Sequence, residues 1–149
     1  MASRTNSTTV TATRRLGRSY VATILAVAGA SMLATGVWAG AAPRSFARLV
    51  DFPYHQHFLH DLGAFQLGLG VTLLGALAWR DAPTVALTGF LVANTLHAVS
   101  HAVDLDLGGH ASDPYAIGAL SLLAAAALVL RVRQPHTPPV PDNQQAEPR

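Results

Sequence analysis

The sequence predicts an all-α integral membrane four-helix bundle with disordered N- and C-terminal tails, and three observations predict it. Half of the residues are hydrophobic and only 12% are charged, a balance far from that of soluble domains. Four apolar runs recur along the chain, each close to the roughly 20 residues that cross a bilayer as a helix. The basic side chains are all arginines, and they stand between or beyond these runs. At 149 residues the chain suits one domain. It has no Cys, which excludes disulfides, thiolate metal sites and thiol catalysis. Arginines clustered at the ends of apolar runs suit orientation in a bilayer, and no nucleic-acid partner is implied.

Residues 1–13 are rich in Ser, Thr and Ala without a hydrophobic period and are expected to be disordered, the basic segment continuing to residue 18 with Arg14, Arg15 and Arg18. The first apolar run covers about 20–42. Basic residues before it and the small residues Ala39, Gly40 and Ala41 after it invite comparison with a cleaved export signal, and Arg14 with Arg15 with a twin-arginine one. The run is longer than the roughly 7 to 15 residues of a signal core, so an uncleaved first helix is the expectation. Pro43 ends it. Residues 44–50 then set Phe46, Leu49 and Val50 apart from Arg44 and Arg48, as in a short interfacial helix, with Phe52 and Tyr54 as interfacial aromatics.

The second span is expected over 58–79, with Gly63, Gly68, Gly70 and Gly75 allowing close helix approach. A tight turn at 80–83 leads to a third span over 84–103, Pro83 standing at its start. After a loop at 105–113, Asp113 caps and Pro114 opens the fourth span, which ends near Leu130 before Arg131 and Arg133. The bundle domain is thus 19–133. Residues 134–149 form a Pro-rich tail expected to be disordered, and it contains His136.

Arg14, Arg15, Arg18, Arg80, Arg131 and Arg133 all fall on one side of this topology. Arg44 and Arg48 on the other side are accompanied by Asp51, Asp104, Asp106 and Asp113. Both termini are therefore expected in the cytoplasm of a multi-pass plasma-membrane protein. Every histidine from His55 to His110 then falls in the outer half.

Those histidines form two groups. His57, His60 and Asp61 open the second span. Asn94, His97, His101 and Asp104, spaced by three, four and three, draw one polar stripe along the third, rising about 15 Å at 1.5 Å per residue, with Ser100 nearby. His55 and His110 read as loop residues. Short connections make these two spans antiparallel neighbours, and residue counts from the Arg80 turn put both groups at one depth. The expectation is that they meet.

Imidazoles and carboxylates in a low-dielectric setting are costly. The leading reading is accordingly a transition-metal site (Zn, Cu or Fe) built from His57, His60, Asp61, His97, His101 and Asp104, with Asn94 or Ser100 orienting the imidazoles. A second is an electron-transfer module with haem held axially by one histidine from each group. The third is a structural or accessory subunit, in which His and Asp pair with one another and with loop backbone to lock helix ends, while glycine faces dock in a homo-oligomer or larger membrane complex.

His97 and His101 have zinc-ligand spacing, but Ala98 stands where a zincin needs glutamate. No nucleophile elbow, phosphate loop or dinucleotide fingerprint is present. Gly36 and Gly40 make a Gly-x-x-x-Gly pattern, read as ordinary packing or a dimerisation face. The stretch His60-Asp61-Leu62-Gly63-Ala64-Phe65, entering a Gly-rich helix after a loop, resembles small four-helix bacterial membrane proteins of the DoxX-like kind. The resemblance covers about 20–131 and implies the fold. It transfers no catalytic role.

Overall fold

The computed structural model describes residues 3–134, with side chains from residue 12 onward. Five helices follow one another: α1 (Ser3–Ala41), α2 (Pro43–Leu49), α3 (Gln56–Gly75), α4 (Ala82–Val103) and α5 (Asp113–Val132). Four are long and apolar enough to cross a membrane, over Ala12–Ala41, Gln56–Gly75, Ala82–Val103 and Asp113–Val132. The second and third begin two residues earlier than expected, and the second stops at Gly75, because 76–81 already turn.

The largest departure is at the start. Helix begins at Ser3, so the segment expected to be disordered to Thr13 continues α1. It contains neither Pro nor Gly, and a helix already nucleated by the apolar run extends through such residues at little cost per step. Of the tail, only Gln134 is described; the rest, with His136, lies outside the described residues.

Two antiparallel pairs build the bundle. α1 packs along α3, α4 packs along α5, and the pairs join chiefly through α1 against α5. α3 and α4 are joined by a short turn but touch much less. The main core lies toward the end holding the α3–α4 turn, where Ile24, Leu25 and Ala28 of α1 meet Leu73, Leu87, Phe90, Ala124 and Ala127. Polar contacts close this turn end: Tyr20 Oη donates to the Leu123 carbonyl at 3.2 Å, and the Arg131 guanidinium to the Arg80 carbonyl. A smaller cluster of Ala39, Phe46, Ala47 and Leu59 seats α2 at the opposite, loop end, and it involves only α1, α2 and α3.

Glycines explain why α3 chose α1. A Cβ on Gly36 would stand 2.9 Å from the Gly63 carbonyl oxygen, and one on Gly63 2.8 Å from that of Gly36. Gly29 and Gly70 oppose each other likewise, at 3.2 and 3.0 Å. The two backbones therefore meet at a pair of reciprocal contacts seven residues apart on each helix, too close for a side chain at Gly36 and Gly63 and tight for one at Gly29 and Gly70. A Cβ on Gly40 would meet nothing within 4 Å, whereas its backbone nitrogen stands 3.1 Å from where a Cβ on Gly63 would be, so in the Gly-x-x-x-Gly pattern only Gly36 has to lack a side chain.

Candidate functional site

The inward stripe of α3 (Leu59, Gly63, Gly70, Leu73) packs largely on α1, and the histidines at its start are left exposed. His57 Nε2 lies 3.5 Å from Asp61 Oδ2, with side chains 84% and 57% exposed, a pairing along one helix face. His60 is exposed. His55 is more than a loop residue: it is the N-cap of α3, and its Nδ1 accepts the Phe58 N–H at 3.2 Å.

Of the stripe on α4, Asn94 and His101 face α5, while His97 and Asp104 are exposed. Asn94 is 7% exposed, and its amide nitrogen donates to the Ile117 carbonyl and to Ser121 Oγ, both at 2.8 Å. One turn on, the rings of His97 and His101 meet edge to face at 4.6 Å between centroids. His101 Nδ1 lies 3.6 Å from Asp113 Oδ2, both side chains about three-quarters buried. Asp104 is exposed and ends α4 through its backbone, N–H to the Ser100 carbonyl.

Asp113 is the hub that sequence reasoning assigned to a cap. Ser112 occupies the cap position of α5 instead, and the Asp113 carboxylate turns back over the loop, accepting the His110 N–H at 2.9 Å with His110 Nδ1 at 3.7 Å. Gly109 makes room for this. Its φ is +87°, a region costly for other residues, and a Cβ there would crowd Asp113 Oδ2 and His101 Nδ1 at 3.3 Å. The Gly109 N–H donates to the Asp51 carbonyl at 2.8 Å, and Asp51 itself has φ +50°. One hydrogen bond thus ties the α4–α5 loop to the segment between α2 and α3.

Among the described residues, no hydrogen bond, ion pair or ring contact joins His57, His60 or Asp61 to His97, His101 or Asp104. No group of three or more His, Asp or Glu is arranged there to hold a metal ion. The expected meeting of the two groups is therefore not seen. Equal depth was not enough, since rotation of α3 decides contact. The residues missed were His110, Asp113 and Ser121. Ser121 had a legible signal, as the lone polar side chain inside the apolar stretch of α5. Asp113, three residues after His110 and just past two glycines, had a weaker one.

The fold and site define a small all-helical bundle of four membrane-length helices with a polar clasp at one end. Comparison with protein families, with curated proteins and with solved structures finds no match to this chain.

Proposed function

We propose that the protein is a structural or accessory integral membrane protein, multi-pass in the plasma membrane with both termini cytoplasmic, whose outer His/Asp cluster fastens helix ends. The observation that carries this is the convergence of His101, His110 and the His110 backbone N–H on one Asp113 carboxylate, while the neighbouring Gly109 N–H holds Asp51. His101, His110 and Asp113 each meet a protein partner, which is what a fastening requires. Membrane placement is supported by the four apolar helices and by the arginines gathered at the turn end.

Outward faces supply the docking part of the proposal. A Cβ added at Gly68 or Gly89 would meet nothing within 4 Å among the described residues, and Phe65 and Val85 are 79% and 75% exposed. Lipid or another membrane chain covers such faces. Native electrophoresis of membranes solubilised in a mild detergent tests this. Gly68→Leu and Gly89→Leu should release the chain from a larger assembly, whereas His97→Gln with His101→Gln should leave it there. A transition metal (Zn, Cu or Fe) or haem on the histidines is the competing proposal. A stoichiometric metal or a Soret band in protein purified without tag or chelator, lost in the His97→Gln/His101→Gln variant, would replace the structural reading with that one.

A further inference from the structure

The loop end also carries two arginines that the clasp leaves unused. On α2, burial of Phe46 and Ala47 against Ala39 and Leu59 fixes the helix and leaves Arg44 and Arg48, four residues apart, on its exposed face. Neither forms an ion pair with a carboxylate among the described residues. The Arg44 guanidinium lies over the Tyr54 ring, 5.3 Å from its centroid. Between the end of α1, α2 and the start of α3 is an open hollow of about 460 Å³ lined by Arg44, Ser45, Arg48, Tyr54 and Gln56, with no acidic side chain on its wall. Tyr54 Oη donates to Gln56 Oε1 at 2.9 Å, which leaves the Gln56 amide nitrogen as a further donor. An adjoining hollow of about 500 Å³ shares the two arginines but includes Asp51, whose charge disfavours an anion there.

We propose that Arg44 and Arg48 bind the phosphate of an anionic membrane lipid headgroup. Guanidinium forks match phosphate oxygens in pairs, and two of them with an amide donor surround one phosphodiester. The hollow sits where α1 ends, beside the exposed Trp38, against which acyl chains can lie. Trp38 Nε1 donates to Ser45 Oγ at 2.8 Å, an amphipathic ring at the level of the hollow, as at a bilayer interface. This inference rests on the membrane-spanning reading above.

The test uses the full chain in phosphatidylcholine nanodiscs doped with phosphatidylglycerol, and native mass spectrometry of the lipids it retains. Wild type should keep phosphatidylglycerol over phosphatidylcholine. At about fivefold per arginine near an anionic surface, Arg44→Gln/Arg48→Gln should weaken that preference about 25-fold. Arg14→Gln/Arg15→Gln, with the same loss of charge, should keep most of it, and inorganic phosphate should not displace the lipid. Equal retention of the two lipids by wild type, equal losses in the two double variants, or displacement by inorganic phosphate would overturn the proposal. Failure of the chain to enter nanodiscs at all would instead strike the membrane reading on which it rests.

Discussion

Two amides, buried Asn94 and half-buried Gln66, have opposite effects on stability. Asn94 spends both amide protons on α5, so Asn94→Leu leaves the Ile117 carbonyl and Ser121 hydroxyl short of a donor. Hydrogen bonds between helices in apolar surroundings are worth about 0.6 to 2 kcal/mol, and a denaturant titration in detergent should show a loss of that size. Gln66 falls on the same three- and four-residue spacing as Gly63 and Gly70, and its Oε1 is buried with no hydrogen-bond partner among the described residues. Replacing it by Leu, close in volume and without the orphaned oxygen, should raise stability by about 1 kcal/mol in the same titration. A Gln66→Leu variant less stable than wild type would mean that this amide has a polar partner in the working protein. Asn94 was legible as a polar residue facing inward. Its partner was not, since only the rotation of α4 against α5 selects Ser121 over a residue of α3.

At the scale of helices, lengths and order could be read from hydropathy, while pairing could not. Consecutive helices joined by a short turn are the default neighbours, and α3 with α4 was expected on that ground. Backbone proximity overrode it: the seven-residue glycine spacings in α1 and α3 face each other and draw those two helices together. That spacing is visible in the sequence as Gly29 and Gly36 matching Gly63 and Gly70, but it competes there with Gly36 and Gly40, which looks more familiar. Gly36→Leu or Gly63→Leu should prevent close approach and leave little folded protein by size-exclusion chromatography in detergent. Gly68→Leu, with open space around it, should elute as wild type in monomeric form. Equal behaviour of the Gly63 and Gly68 variants would refute the α1–α3 packing.

For the whole molecule, the arginine asymmetry and the absence of Cys give a clean test of sidedness. Ala78→Cys in the α3–α4 turn should react with a membrane-impermeant maleimide only after cells are opened, and Ala111→Cys in the α4–α5 loop should react on intact cells. At the loop end, among the described residues, the α1–α3 and α4–α5 pairs share no buried apolar cluster, and the Gly109 to Asp51 hydrogen bond ties them, held in place by the Asp113 group. The sequence placed polar residues at this end and could not say whether they serve a ligand or each other, because both uses demand His and Asp at helical spacing. Unfolding of the purified protein in detergent, with and without a strong chelator and beside Asp113→Ala, separates them most directly. A fastening predicts that the chelator leaves wild type unchanged while Asp113→Ala loses about 1 kcal/mol, the net worth of one hydrogen bond to a carboxylate with partly exposed ion pairs beside it. A wild type that loses stability with the chelator, or an Asp113→Ala variant as stable as wild type, would contradict it.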